Sequence, residues 1–512
     1  MKIKFSSERD FNILNKYLDT YKLSTVQSCL SQNVSSSLSQ VRLKKNYILH
    51  IGVGNFHRSH QAFAVQQINK LHSSEDWNII GIGLRDADRN LRDCLRRQFF
   101  QYTLVSRCNQ KSLIEIIDVL KEIFIIPDMS KNKHFINYLP FQDIQIISIT
   151  ITEKGYTLDA ENNLNEEDPL VQSDFQNWKR ESGIGKPKTA VGLLCTFLFH
   201  RMVKDQPPIT VMSSDNLYGN GTLTKRICLQ FSMKVNEKLS EYIEKNIAFP
   251  NSMVDRITPM TTKTDRFALQ LNYNIIDHVP VVCENFIAWA IENKFSSPRP
   301  KFELFSPITL TSNIYPYESQ KLVLLNSSHS FIAYIGLFFS KKYVYEYMLD
   351  DFMVRLLKNY IDEVMITLPE DDENLNHNEY KEDLLIRFEN YFVKDELTRI
   401  AQDGTQKLKV CLEIPLSYYY QHKGNQGYPK HICIMLALLL LFLKNCKEKN
   451  CDPLQEKIKN VIMGGFNREN ISNVLQMFLP AKFHTWEELF EQVTKYTNDI
   501  FYNIPLQEIL AY

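Results

Sequence analysis

The order of apolar and polar positions divides the chain into a first part that alternates strands with helices and a second part that is helical throughout. Residues 47–51 (YILHI) form a short apolar run that stops at Gly52, the pattern of a buried strand. Residues 61–71 place Ala62, Ala64, Val65 and Ile68 at helical spacing, and 78–82 form a second apolar run ending at Gly83. This predicts a strand–helix–strand unit. Residues 144–151 and 209–212 predict further buried parallel strands, with a helix over 189–203 between them. The fold class is therefore α/β, with a Rossmann-type doubly wound N-terminal domain. A Ser, Pro and charge cluster at 296–300 interrupts the pattern, and from Tyr317 onward the periods are helical, which predicts a mainly α-helical C-terminal domain. The acidic stretch 369–379 predicts a surface loop. The apolar run 432–443 is shorter than the roughly 20 residues that cross a bilayer, so it predicts a buried helix.

A chain of 512 residues is too long for one ordinary core, which agrees with two large domains. Lys plus Arg and Asp plus Glu both number 59, so no net field draws the protein to nucleic acid or anionic lipid, and a small molecule is the expected partner. The ten cysteines contain no CxxC pair, and the N-terminus has no uninterrupted apolar signal segment. These features predict reduced thiols and a cytoplasmic protein. No repeat of solenoid or propeller length is present.

Gly52-Val53-Gly54 follows the first strand and can make the tight turn that a pyrophosphate approaches, with the next helix N-terminus facing it. Ile51, Gly52, Val53, Gly54, Asn55 and Phe56 are the candidate cofactor-binding residues. The third glycine of the fingerprint is replaced by His57, and on this fragment alone a turn that merely joins strand to helix reads the same. After the second strand, Asp86 and Asp88 can accept hydrogen bonds from a ribose 2′-hydroxyl and would repel a 2′-phosphate, which favours NAD over NADP. Arg85 and Arg89 either pair with those aspartates or hold a phosphate. The expected division is an N-terminal extension over 1–43, a dinucleotide-binding domain over 44–305, and a helical substrate-binding and catalytic domain over 306–512.

Residues 317–329 (YESQKLVLLNSSH) mix ionisable and apolar groups unusually. On a regular helix of about 100° per residue, with Lys321 at zero, Glu318 falls near ~60°, His329 near ~80° and Asn326 near ~140°. Four polar groups on one side of an apolar helix are costly to bury unless they satisfy each other or a ligand. A lysine whose pKa is lowered by burial can accept the proton of an alcohol, while Asn and His can donate hydrogen bonds to the alkoxide.

The strings IGVGNFHRSHQA (51–62), ITEKGY (151–156), SSDNLYGNG (213–221), FPNSMVDRITP (249–259) and KLVLLNSSHS (321–330) occur in that order, with TRIAQDGTQKL (398–408) after them. Together they closely resemble the polyol-specific long-chain dehydrogenase/reductase family, the mannitol dehydrogenase family. The resemblance implies Lys321 as general acid/base, Asn326 and His329 as the oxyanion pair, and Glu318 as a proton relay. It also implies that Asn216, Asp255, Arg399 and Lys407 bind substrate. Taken on their own, Asp255 beside Arg256 is an ordinary ion pair, Asn216 a turn former, and Arg399 and Lys407 solvated charges. Tyr218 stands where many members have proline, and Ser327-Ser328 where glycine is frequent.

The implied reaction is hydride transfer between NAD and a sugar alcohol/ketose pair, D-mannitol and D-fructose, without a metal and in a monomer. Two alternatives remain: a hexuronate reductase of the same family, acting on fructuronate or tagaturonate, and a catalytically silent dinucleotide-binding protein. Zinc catalysis is disfavoured, because the twelve histidines and ten cysteines show no compact ligand spacing.

Overall fold

A computed structural model describes residues 46–511 apart from 73–75, 109–111, 130–138, 160, 182–186, 371–374, 423–426 and 449–450. The expected N-terminal extension over 1–43 lies outside the described residues. The first unit is β1 (Asn46–Ile51), α1 (Gln61–Leu71) and β2 (Trp77–Gly83), as the apolar pattern predicts. It is followed by β3 (Tyr102–Arg107), β4 (Ser112–Ile117), β5 (Leu120–Ile125) and β6 (Ile144–Ile149). Helix α2 (Ala190–Val203) leads to β7 (Thr210–Ser213), and the Thr189 hydroxyl caps it by accepting from the Gly192 amide.

The main sheet has the order β5-β2-β1-β6-β7, and every neighbouring pair in it is parallel. Its strands alternate between two cores. Tyr47, Leu49 and Ile51 pack with Ile147, Ile149 and the buried face of α2, while Ile48 packs on the other face with Ile79, Ile146 and α1. Burial on both faces explains why these strands read as continuous apolar runs. The order reverses at β1, so the crevice where such sheets bind ligands opens at its C-terminal end, at Gly52.

The strand expected over 144–151 stops at Ile149. The Ile151 and Thr152 amides turn out of the sheet to donate to the Asp215 carboxylate (3.0 and 2.8 Å), and Thr152 takes φ +61°. Two small three-stranded sheets complete this half, built from β8 (Ser252–Asp255), β9 (Val281–Glu284), β10 (Ala288–Glu292) and β11 (Ile308–Thr311) with β3 and β4. Asp255 and Glu284 are the last residues of their strands.

The second half is helical. The segment read as one regular helix consists of α3 (Tyr315–Gln320), a π-helical turn (Lys321–Asn326) and α4 (Ser327–Phe338). A uniform 100° spacing therefore does not hold between Lys321 and His329, because the wider turn rotates everything after it. The expectation of a loop over 369–379 is also corrected at its end. Helix α5 (His377–Phe388) begins at residue 377, with the Asn376 side chain accepting from the Glu379 amide (3.0 Å). The last family string begins on a short helix (Leu397–Ile400) and ends on α6 (Gly404–Cys411), and α7 (Lys430–Asn445) contains the apolar run, with Ile432, Leu436, Leu439 and Leu443 fully buried in the helical core. Among the described residues no helix is long and apolar enough to cross a membrane.

Candidate active site

The glycine turn sits at the switch point of the sheet. Gly52 has φ +95°, and a Cβ there would lie 2.1 Å from the Thr150 carbonyl oxygen, so only glycine fits. At Gly54 a Cβ would meet nothing closer than the Gly52 oxygen at 3.9 Å, so that side of the turn is open. A pyrophosphate fits such a cradle. His57, in place of the third glycine, is buried and stacks on His50 of β1 with ring centroids 3.5 Å apart. Burial holds both imidazoles well below the ordinary histidine range, so two neutral rings occupy the position where close helix–strand packing would otherwise require glycine.

Past β2, Arg85 pairs with Asp88 (3.2 Å) and Arg89 with Asp86 (2.9 Å). The two arginines are thus engaged by the aspartates. The Arg85 backbone amide also donates to Asp88 (3.0 Å), which holds that carboxylate beside the start of its helix.

Lys321 opens the π-helical turn and is buried. Its amine donates to the Asn216 side-chain oxygen (2.6 Å) and to the Val254 carbonyl (2.5 Å). Neither acceptor is charged. Burial, opposed by Asp255 and Glu318 and reinforced by Arg387, lowers the Lys321 pKa to about 8. Asn216 reaches the amine because its neighbour Asp215 ties the string at 151–156 to this loop, accepting from Ile151, Thr152 and the Tyr156 hydroxyl (2.8 Å). One turn before the lysine, the Glu318 carboxyl accepts from the Gly219 amide (2.9 Å) and is raised to about 7, chiefly by burial. Lys321, Asn216, Glu318 and Tyr218 line one small cavity, and Tyr218 is half exposed.

Asp255 does not pair with the adjacent Arg256. It accepts two bonds from the Arg387 guanidinium (2.7 and 2.8 Å) and one from the Tyr380 hydroxyl (2.8 Å), and all three residues are buried. Arg387 bonds Glu284 in the same way (2.8 and 2.9 Å). Arg256 bonds the Glu284 carbonyl (3.1 Å), the Ser59 carbonyl (2.5 Å) and the Ser106 hydroxyl (2.9 Å) instead. Arg387 and Tyr380 come from α5, while Asp255 and Glu284 end strands of the first domain, so the cluster crosses from one domain to the other.

Asn326 closes the π-helical turn, half buried, and its side-chain amide has no hydrogen-bond partner among the described residues. His329 lies against Phe388 (centroids 4.9 Å), and its buried Nε2 also lacks a partner. Burial first, with Arg387 and Arg399 adding, lowers its pKa to about 4, against the opposing carboxylates Asp395 and Asp255. Arg399 is paired with the buried Asp395, and the Lys407 amine donates to the Ile400 carbonyl (2.9 Å) and faces Arg399, Asp403 and Glu153. Lys321, Asp255, His329, Arg399 and Lys407 thus face one another in one neighbourhood, which His60 from the string after the glycine turn joins.

Sequence reasoning did not find Arg387, Tyr380 or Glu284. A signal existed: Tyr380, Leu384 and Arg387 recur at i, i+4 and i+7, which places an arginine on the apolar face of its helix. Among the described residues no group of three or more His, Cys, Asp or Glu is arranged to hold a metal ion, and the nine cysteines there form no disulfide.

A doubly wound domain with a glycine turn at its switch point, and a buried lysine where the helical domain meets it, define a dehydrogenase that works with a dinucleotide. Residues 46–304 match the mannitol dehydrogenase Rossmann domain, and residues 313–500 the mannitol dehydrogenase C-terminal domain. The chain belongs to the mannitol dehydrogenase family. It is 36% identical to mannitol 2-dehydrogenase of Aspergillus oryzae, covering 92% of this chain and 95% of that one. It is 30% identical to a mannitol dehydrogenase of Saccharomyces cerevisiae, covering 91% and 92%. Among solved structures, Pseudomonas fluorescens mannitol 2-dehydrogenase, in a ternary complex with NAD and D-mannitol, superposes with a TM-score of 0.79 at 30% identity, covering 91% of this chain and 94% of that one. A D-sorbitol dehydrogenase in substrate-free form gives 0.77 at 26% identity, covering 89% and 93%.

Proposed function

We propose that this protein is an NAD-dependent polyol dehydrogenase that interconverts D-mannitol and D-fructose, with Lys321 as the general acid/base. The observation that carries the reading is the environment of Lys321. A neutral amine has two N–H bonds, and here both find uncharged acceptors in Asn216 and Val254, leaving the lone pair for a substrate hydroxyl.

Ile51 to Phe56 would hold the dinucleotide phosphates, and Asp86 and Asp88 the adenosine ribose. NAD, when bound, supplies the hydride acceptor for alcohol oxidation. Lys321 removes the proton from the hydroxyl being oxidised. Asn326 and His329 donate hydrogen bonds to the alkoxide oxygen, and His329 does so as a neutral imidazole, protonated on Nε2. Glu318, raised to about 7, accepts the proton from Lys321 and passes it along the cavity towards Tyr218. Asn216 orients the amine, and Arg399 and Lys407 hold hydroxyls at the far end of the polyol. Ketose reduction runs the same steps in reverse.

A hexuronate substrate would need an unsatisfied cation for its carboxylate. Arg399 is already neutralised by Asp395, so of the two cations at the far end only Lys407 could meet a carboxylate, and the bidentate arginine pairing that favours one is taken. NADH oxidation measured with D-fructose and with D-fructuronate separates the two: faster turnover of fructose supports the polyol reading, and faster turnover of fructuronate replaces it. Cysteines that form no disulfide among the described residues fit the reducing cytoplasm, and the family resemblance favours a monomer.

A further inference from the structure

Asp255 ends β8 one residue beyond Val254, whose carbonyl accepts from Lys321, so a carboxylate lies beside the amine. Yet the Lys321 bonds go to Asn216 and Val254, not to Asp255. The Asp255 oxygens are taken by Arg387 and Tyr380, and the second fork of Arg387 is taken by Glu284. Asp255, Glu284, Arg387 and the nearby Arg256 are two anions and two cations, and they balance without Lys321. The guanidinium is pinned further by the Phe286 ring, 4.0 Å from its carbon.

We propose that Arg387 is a positioning residue that holds the Asp255 carboxylate away from Lys321, so that the amine keeps only neutral acceptors and is left to exchange the substrate proton. Were Arg387 absent, Asp255 would be a buried carboxylate lacking a cation, and Lys321 the cation nearest to it. Forming that pair would hold the lysine protonated and remove the base. The arginine comes from the helical domain and the carboxylates from the first, so the base is set only when the two domains are docked. The inference rests on Lys321 as the acid/base of the proposed function.

The other charged groups facing these two side chains do not substitute for the arginine. Lys321 also faces Glu318 on its own helix and His60 from the segment after the glycine turn. Arg387 also faces His329 of α4 and Asp383 of its own helix.

The test follows the titration of the Lys321 amine in the full-length protein through the side-chain resonance of nitrogen-labelled lysine that disappears in Lys321→Met. In Arg387→Gln the amine should titrate at least about one unit higher than in the wild type, which at pH 7 corresponds to about tenfold slower mannitol oxidation. Should Arg387→Gln fail to fold, the double variant Glu284→Gln/Arg387→Gln removes one anion with the cation and frees Asp255 in the same way, with the same upward shift expected. Glu284→Gln alone leaves Arg387 on Asp255 and should produce no rise. An amine that titrates at the wild-type position in either folded Arg387 variant, or one that rises equally in Glu284→Gln, overturns the proposal. The titration needs no substrate, so absence of mannitol turnover in the wild type would count against the polyol reading and leave the role of Arg387 to be judged by the resonance.

Discussion

At the scale of single residues, the proposed chemistry depends on a lysine buried among uncharged acceptors. Lys321→Ala should lower turnover by about 10²- to 10⁴-fold while NADH still binds, as judged by quenching of protein fluorescence. Activity close to wild type would remove the lysine from the chemistry. Asn326→Ala and His329→Ala should each cost about 10²- to 10³-fold in kcat, with a smaller change in KM, because an oxyanion donor acts mainly in the transition state. The lysine, the asparagine and the histidine were legible in the sequence because they are polar groups crowded into one apolar segment. Arg387 was not, because its partners lie at positions 255 and 284, and nothing local announces that a helix arginine will meet two strand ends.

At the scale of elements, the glycine turn and the π-helical turn are the two places where backbone geometry determines chemistry. Gly52→Ala forces a Cβ into the Thr150 carbonyl at φ +95° and should both lower the unfolding temperature and abolish NADH binding. Gly54→Ala meets no such clash. It should fold normally and weaken NADH binding alone, which calorimetric titration distinguishes. Replacing Asp86 and Asp88 by Ser should raise use of NADP relative to NAD, because the anions that would repel a 2′-phosphate are removed and Arg85 and Arg89 are released to bind it. Unchanged cofactor preference would place the adenosine ribose elsewhere. Apolar runs located β1, β2, β6 and β7 well, since burial on both faces leaves a strong signal. The π-helical turn left none: a widened turn obeys no period, and a regular wheel put the four polar groups on one side at spacings that the helix does not have. The start of α5 was missed for a different reason, since an acidic, polar stretch hides the Asn376 cap within it.

At the scale of the whole molecule, the site exists because two domains meet. The glycine turn and the Asn216 loop belong to the first, the lysine, the histidine and Arg387 to the second, and the strings that carry them are scattered over most of the chain. That dispersal is why the fold class could be read from periodicity while the site needed the family resemblance to join its parts. In the proposed mechanism a lysine and two hydrogen-bond donors supply the acid/base and electrostatic work, so strong chelators should leave activity unchanged; loss of activity that added zinc restores would require a different mechanism. The most direct test of the central claim is the pH dependence of NAD-linked mannitol oxidation. Oxidation needs the neutral amine, and burial sets Lys321 at about 8, so the rate should climb as pH rises towards that value and level off above it. Fructose reduction, which needs the ammonium form, should fall over the same range. A flat oxidation profile from pH ~6 to ~10, a span that brackets a lysine lowered by burial, would contradict Lys321 as the base.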